Sequence, residues 1–266
     1  MMKALRISVS ALFLFLSPLY SHNAKADTLT IVGTGDGTHV LRALAKAYVL
    51  ENPNQTVSIP PSVGSSGGVK LVGLNKNKLG RVARKINGDE EYLGLTYVPY
   101  ARIPVAFYAH PLVDVKELSV DQILEIYRGD IRDWSEVKGR PGKIRVVRRE
   151  RGDSSMLLLN KRIPAFSEIQ FTEFMKVATS ESQSVGLVSS VPGAIGFGPL
   201  PGVEEPDVSV LSLDGKQPSA KDYLLELVLA LVFYEENNSG QIKGFVDYVT
   251  SSKGQKVIKD NQAIPY

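Results

Sequence analysis

Strand-like and helical segments alternate along this chain, and this alternation restricts its fold more than any other feature of the sequence. Residues 28–32 and 56–59 have β character, and helical segments follow them from about residue 38 and from about Gly67. Apolar residues recur at helical spacing in the first of these helices: Val40, Leu41, Leu44, Ala47 and Tyr48. They would pack one helix face onto a sheet. The sequence therefore predicts an α/β fold with a largely parallel sheet.

Later segments extend this pattern. Residues 119–128 are expected to form a helix with Ser119 as its N-cap. The apolar residues 224–234 indicate a buried strand or core segment. The apolar spacing over residues 241–260 suits an amphipathic helix that is interrupted near residues 251–254.

The first 26 residues have the three-part pattern of a secretory signal peptide. They begin with Lys3 and Arg6, continue with an apolar run over residues 7–20, and end in A-K-A at residue 26. The apolar run is shorter than the roughly 20 residues that a membrane span requires. We therefore expect a cleavable signal peptide over residues 1–26, followed by export to the periplasm.

The net charge of +3 belongs to this leader. Three of the 31 basic residues lie in it and none of the 28 acidic residues does, so the remaining chain has 28 residues of each sign. A neutral chain has no basic field to attract a polyanion. No nucleic-acid partner is therefore expected.

The absence of cysteine narrows the chemistry further. It excludes disulfides, thiolate nucleophiles, thiolate metal sites and a lipid-modified N-terminal cysteine, so the fold must rest on its core. After the leader the histidines are His39 and His110, with no acid cluster at ligand spacing. No metal or other cofactor is therefore expected.

Three loops rich in glycine and hydroxyl residues each run from a strand into a helix. They are residues 33–38 (GTGDGT), 64–68 (GSSGG) and 149–155 (RERGDSS). A helix N-terminus offers free N–H donors and a partial positive charge, and serine or threonine hydroxyls add further donors. Together the loops predict an oxyanion site.

Two of these loops can also be compared with specific motifs, one of dinucleotide-binding proteins and one of serine hydrolases. GTGDGT has Thr38 where a dinucleotide-binding motif has its third glycine, so that motif is not met. GSSGG fits G-x-S-x-G with Ser66 as the nucleophile of a serine hydrolase. Such an enzyme needs a histidine after the serine, and His110 alone follows Ser66. The hydrolase therefore remains a remote alternative, and no enzyme is expected.

Several motifs resemble those of one protein family. They are SVGSSGGVK at residues 62–70, IYRGDIRDWSEVKG from residue 126, VVRRERGDSS from residue 146, PGAIGFG from residue 192 and the stretch 245–265. In this order they resemble the substrate-binding proteins of the phosphate ABC transporter, which have the type II periplasmic binding-protein fold. The resemblance covers essentially the whole chain after the leader.

This resemblance implies a two-lobed α/β protein with its ligand in the cleft between the lobes. Residues 27–101 plus 225–266 would form one lobe, and residues 102–224 the other. The protein would be a periplasmic monomer that captures phosphate or a related oxyanion and passes it to an inner-membrane ABC permease. It would need no cofactor.

The resemblance also implies a set of ligand-binding residues. The first lobe would contribute Asp36, Gly37, Thr38, Ser65 and Ser66, and the second Arg149, Asp153, Ser154 and Ser155. Asp153, Ser154 and Ser155 stand where the family has serine, glycine and threonine. An aspartate that some members carry is missing from residues 79–85.

An acid in such a cleft would separate phosphate from sulfate. A carboxylate accepts a hydrogen bond from protonated phosphate but repels sulfate, which has no proton. Asp36 or Asp153 is expected to do this. The departures leave open sulfate, molybdate or tungstate as ligand. They also leave open an exported sensor or interaction protein on the same fold with weak or altered binding.

Overall fold

The computed structural model describes residues 28–200 and 207–266. The signal peptide predicted over residues 1–26 lies outside these ranges. Within them, no helix combines the length and the apolar character that crossing a membrane would require.

Strands and helices alternate as predicted, and the α/β class is confirmed. The helices are α1 (Thr38–Glu51), α2 (Gly64–Gly73), α3 (Val120–Arg128), α4 (Ser154–Arg162), α5 (Pro164–Ser167), α6 (Glu181–Ser190), α7 (Gly240–Thr250) and α8 (Ser252–Asp260). The strands are β1 (Thr28–Gly33), β2 (Thr56–Ser58), β3 (Leu79–Val82), β4 (Thr96–Ala109), β5 (Glu117–Leu118), β6 (Arg145–Arg149), β7 (Lys176–Ala178), β8 (Ala194–Pro199), β9 (Ser209–Val210), β10 (Ser212–Leu213), β11 (Glu226–Phe233) and β12 (Ile264–Pro265).

The main sheet has the strand order β2-β1-β3-β11-β4-β8-β6-β7. Its outer parts are parallel, since β1 pairs with β2 and β3, and β6 pairs with β7 and β8. Its centre is antiparallel, because β11 pairs with β3 and β4, and β4 pairs with β8. The prediction of a largely parallel sheet is therefore wrong at the centre. Apolar periodicity marks these long strands as buried but does not give their direction.

Local sequence signals account for several boundaries. Ser119 caps α3 through a capping box with Gln122, as its position predicted. The apolar segment near residue 230 is the strand β11, and the C-terminal helix breaks at Ser251, which ends α7 and caps α8. Helix α2 begins at Gly64, earlier than expected, so the GSSGG sequence forms its first turn.

Helices cover both parts of the sheet with aromatic contacts. Tyr48 of α1 meets Phe245 of α7 with ring centroids 5.3 Å apart, so the C-terminal helices return to the N-terminal strands. Farther along the sheet, Tyr127 packs on Phe166 at 5.3 Å and on Phe197 at 5.9 Å. Edge-to-face and tilted ring pairs of this kind stabilise a core beyond their buried area.

Gly68 lets the first turn of α2 approach the sheet closely. A Cβ atom at this position would lie 2.8 Å from the Cα of Gly33 and 3.1 Å from the carbonyl oxygen of Arg81. Both neighbours are backbone atoms of strands and cannot rotate away. The close approach fixes the start of α2 against the ends of β1 and β3.

Gly68→Ala should therefore lower the free energy of unfolding by about 1 to 3 kcal/mol through overpacking. Gly88→Ala is the matched control, because a Cβ there meets no atom within 4 Å. Urea denaturation of both variants checks this. Equal stability of Gly68→Ala and the control would contradict the close packing.

Candidate anion-binding site

Three strand-to-helix junctions meet at one point, although they lie far apart in the sequence. Ser65 Oγ in α2 lies 2.9 Å from Ser154 Oγ in α4. Arg149 Nη2 at the end of β6 donates to Asp36 Oδ1 at 3.4 Å, and Ser155 Oγ donates to Asp36 Oδ2 at 3.4 Å. All five residues are buried. Their side chains form one group, which we call the polar cluster.

Arg149 supplies the positive charge of the polar cluster. Its side chain is only 2% exposed, and Nη2 also donates to Asp153 Oδ2 at 2.5 Å. Burial by itself lowers the pKa of Arg149, but the carboxylates of Asp36 and Asp153 outweigh this effect and raise that pKa overall. Within the described ranges, its buried Nε and Nη1 atoms have no hydrogen-bond partner. Arg149 thus keeps two nitrogens available to an acceptor.

Asp153 serves the helix that it precedes. Its Oδ1 accepts hydrogen bonds from the N–H groups of Ser155 at 3.0 Å and Met156 at 3.2 Å, which makes it the N-cap of α4. Burial and the charge of Asp36 raise the pKa of Asp153 to about 7. Because Asp153 occupies these first N–H groups of α4, an anion would meet the Ser154 and Ser155 hydroxyls instead.

The loop after β1 faces the polar cluster with the carboxylate of Asp36, because the N–H groups of Asp36 and Thr38 are bonded within the loop. The N–H of Asp36 donates to Thr34 Oγ1 at 3.1 Å. Both the N–H and the hydroxyl of Thr38 donate to the carbonyl of Gly35, at 3.2 and 2.6 Å. Burial raises the pKa of Asp36, and Arg149 opposes that rise. Asp36 therefore joins the cluster through its side chain, while Thr38 is bonded within its own loop.

The two serines of GSSGG lie in different surroundings. Ser65 is buried and its Oγ accepts a hydrogen bond from the N–H of Ala83 at 3.1 Å. Ser66 is exposed, and its Oγ accepts from Arg84 Nη2 at 2.8 Å, while Arg84 also pairs with Glu90. Ser65 thus belongs to the polar cluster, and Ser66 lies outside it.

Arg81 is a positioning residue that the sequence analysis missed. It is buried in β3 and donates to the carbonyls of Thr34 at 2.7 Å, Pro60 at 2.8 Å and Ile31. Burial lowers its pKa to about 10. These bonds tie the loop after β1 to the segment before α2. A charged residue inside an otherwise apolar strand was the available sequence signal.

Glu181 is a second residue that the sequence analysis missed. It is the first residue of α6, and it lines one cavity together with Gly35 and Thr38 of the loop after β1. Its Oε2 atom is buried and lacks a hydrogen-bond partner in the part of the chain that the structure covers. Burial and the charge of Asp36 raise the pKa of Glu181 to about 8. No sequence motif marks it, since an acid at a helix start is ordinary.

Comparison with known proteins identifies the family of this chain. The PBP superfamily domain matches residues 20–253. The chain belongs to the PBP superfamily. Two relatives, each named phosphate-binding protein PstS, are 25% identical to it: the Borreliella burgdorferi protein, covering 95% of this chain and 96% of the relative, and the Bacillus subtilis protein, covering 90% and 80%.

A solved structure has a fold similar to that of this chain. It is described as a phosphate ABC transporter substrate-binding protein from Clostridium perfringens with bound phosphate. The TM-score is 0.83 and the identity 27%, over 90% of this chain and 100% of that chain. The type II periplasmic binding-protein fold and the resemblance seen in the sequence motifs are therefore confirmed. Over residues 28–200 and 207–266, no group of three His, Cys, Asp or Glu residues could hold a metal ion.

The raised carboxyl pKa values predict how stability depends on pH. Glu181 and Asp153 titrate near 8 and 7 in the folded protein, against 4.5 and 3.8 for ordinary groups. Between these values the folded protein holds protons that the unfolded chain has released. The free energy of unfolding should therefore fall as pH rises from about 5 to about 8.

Thermal melting in phosphate-free buffers tests this, with Glu181→Gln and the exposed Glu168→Gln as control. Glu181→Gln should flatten the fall of melting temperature with pH, and the control should not. A fall that is identical in all three proteins would contradict the assignment of Glu181.

Proposed function

We propose that this protein captures inorganic phosphate in the periplasm and delivers it to an ABC importer of the inner membrane. The observation that carries the proposal is the buried guanidinium of Arg149, which lies between hydroxyl-bearing helix starts and has two nitrogens without a hydrogen-bond partner among the described residues. The relatives support it, since two are named phosphate-binding proteins and the Clostridium perfringens structure is described with bound phosphate.

The chemistry of the polar cluster suits a tetrahedral oxyanion. Arg149 offers charge-assisted hydrogen bonds, and the hydroxyls of Ser65, Ser154 and Ser155 offer neutral ones. Burying an anion is costly unless nearly every oxygen is paired, and this cluster brings donors from three directions. The Asp36–Arg149 contact at 3.4 Å is long, so an anion can replace it at small cost.

Two lobes that close on the ligand remain part of the proposal. The division into residues 27–101 plus 225–266 and residues 102–224 is supported by β4, whose first half pairs with β11 and second half with β8. The contacts Ser65–Ser154 and Asp36–Arg149 both join residues of different proposed lobes. Closure would thus complete the ligand shell and exclude water.

The proposed location and partner follow from the same reading. The leader over residues 1–26 would direct export, and a monomer would deliver phosphate to an inner-membrane permease. Neither export nor delivery of phosphate would require a cofactor in this protein. The neutral chain after the leader means that capture depends on local donors rather than on long-range attraction.

Asp36 is the better supported acid for separating phosphate from sulfate. Asp153 is occupied by two amides of α4 and by Arg149. Asp36 has only the two long contacts at 3.4 Å among the described side chains, so it can turn an oxygen toward a protonated ligand. Its carboxylate would accept the phosphate proton and repel sulfate.

One observation favours a second candidate, an exported sensor or interaction protein with weak binding. Asp153 stands where the family has serine, and it already pairs with Arg149. An internal carboxylate of this kind competes with an anion for the guanidinium. If phosphate leaves the melting temperature unchanged, this candidate is favoured.

The serine hydrolase alternative receives no support. Ser66 Oγ is bonded to Arg84, and His110 Nδ1 accepts the N–H of Leu112. No hydrogen bond joins Ser66 to a histidine in the described parts of the chain, and the relatives are named as binding proteins. The protein is a binding protein rather than an enzyme.

Arg149→Ala should weaken phosphate binding by about 2 to 5 kcal/mol, because it removes one partner of a buried charge interaction. Arg145→Ala is the matched control on the same strand, since Arg145 is exposed. Isothermal titration calorimetry measures both. A loss below about 0.5 kcal/mol for Arg149→Ala would place Arg149 outside the site.

Titration with phosphate, sulfate, molybdate and tungstate tests ligand identity. The wild-type protein should prefer phosphate to sulfate, and Asp36→Asn should narrow that preference about tenfold or more because the neutral amide no longer repels sulfate. Equal wild-type affinity for phosphate and sulfate would refute the role of Asp36. Heat with none of the four anions would refute oxyanion binding.

A further inference from the structure

Glu181 approaches the polar cluster from an element that none of the loop motifs includes. It begins α6, and it lines one cavity together with Gly35 and Thr38 of the loop after β1. Glu181 and this loop belong to different proposed lobes, so the cavity that they share lies at the proposed cleft. Within residues 28–200 and 207–266, Glu181 Oε2 is buried without a hydrogen-bond partner. A buried acceptor without a donor is costly, and protonation turns it into a donor.

Carboxyl groups outnumber cations around Arg149. Asp36, Asp153 and Glu181 interact electrostatically with one another and with Arg149. If all three were ionised, three negative charges would face one positive charge, and a phosphate dianion would add two more. Such an excess cannot be buried, so some carboxyl groups must hold protons when the anion is bound.

The hydrogen bonds indicate which carboxyl group holds a proton. Asp153 accepts from three donors, and Asp36 accepts from Arg149 and Ser155. Across the described residues, Glu181 Oε2 has no hydrogen-bond partner. Donors stabilise the ionised form of a carboxyl group. Glu181 is therefore the carboxyl group with the least support for a negative charge.

Resting on the proposed phosphate function, we propose that protonated Glu181 donates a hydrogen bond to the bound anion, so that phosphate capture requires one proton on this side chain. That proton comes from solvent. Its release at high pH would leave a carboxylate facing the anion, which repels it.

The surroundings of Glu181 agree with this assignment. Burial is the largest cause that raises its pKa to about 8, followed by Asp36, while Arg149 opposes the rise. The titratable and charged groups that interact with it are Asp36 after β1, Tyr108 on β4, Arg149 on β6 and Asp153 before α4. His39, Arg42 and Arg81 line the same cavity of about 520 Å³ as Glu181.

The proposal gives the site a defined pattern of donors and acceptors. Arg149 and Glu181 would both donate to anion oxygens, and Asp36 would accept the remaining proton of the ligand. An oxyanion that has several acceptor oxygens and one proton fits this pattern. Glu181 therefore governs the pH range of binding, whereas Asp36 governs the choice between phosphate and sulfate.

Calorimetric titration of the full protein with inorganic phosphate at about pH 8 and about pH 9.5 tests the proposal, because phosphate stays a dianion over this range. The dissociation constant of the wild-type protein should rise about tenfold as Glu181 loses its proton. Glu181→Gln keeps a neutral donor at every pH, so its dissociation constant should change less than about twofold. Glu168→Gln, at an exposed position, should follow the wild type.

Two further measurements test whether Glu181 donates a hydrogen bond to the anion or acts only through its charge. Near pH 8.5, titration in buffers of different ionisation enthalpy should show proton uptake by the wild type and none by Glu181→Gln. Glu181→Ala should bind about tenfold more weakly than Glu181→Gln at about pH 8, because it lacks a donor.

The outcomes distinguish this inference from the function on which it rests. Equal loss of affinity with pH in the wild type and Glu181→Gln overturns the role of Glu181 while phosphate binding stands. Equal proton uptake by both proteins, or equal affinity of the Gln and Ala variants, also overturns it. No phosphate binding by the wild type at either pH overturns the proposed function, and this inference with it.

Discussion

The buried guanidinium of Arg149 is the group on which the arrangement of this site depends. A buried cation without partners costs several kcal/mol, so acceptors must come to it from the surrounding chain. Asp153 lies four residues away and also caps α4, so one carboxylate both fixes the helix start and orients the arginine. Asp36 reaches Arg149 from the loop after β1. The strand-to-helix junctions thus meet where one buried charge has acceptors from more than one direction.

A second buried arginine, Arg81, has a purely structural role. Arg81 has a carbonyl acceptor for each of its three side-chain nitrogens, from Ile31, Thr34 and Pro60. Each of these nitrogens is already bonded to a carbonyl of the fold, and Arg81 holds two loops in place. Arg149 has acceptors for Nη2, whereas its Nε and Nη1 have none among the residues described. The difference between the two arginines separates a residue that positions loops from one that can take a ligand.

Sequence patterns located the junctions but not the groups that face one another across them. Glycine, serine and a helix start are local signals, so the loops containing Asp36, Ser65 and Arg149 could be predicted. Whether Asp36 contributes its amide or its carboxylate depends on Thr34 Oγ1, which takes the amide. Glu181 joins through tertiary packing, since an acid at a helix start looks ordinary in sequence. The antiparallel centre of the sheet was missed because strand direction leaves no mark on apolar periodicity.

The two carboxylates bound to Arg149 have different strengths, and this difference suits a protein that must both hold and release an anion. Asp153 is bonded at 2.5 Å from the adjoining loop and stays with the arginine in any arrangement of the proposed lobes. Asp36 is bonded at 3.4 Å from the other proposed lobe, so its contact would be lost if the proposed lobes separated. Because residues 27–266 carry no formal net charge, no distant field would assist the proposed closure. The proposed closure would then depend on two opposing contributions. Hydrogen bonds from Arg149 and from the hydroxyls of both proposed lobes to the anion would favour it, and repulsion between the anion and the nearby carboxylates would oppose it.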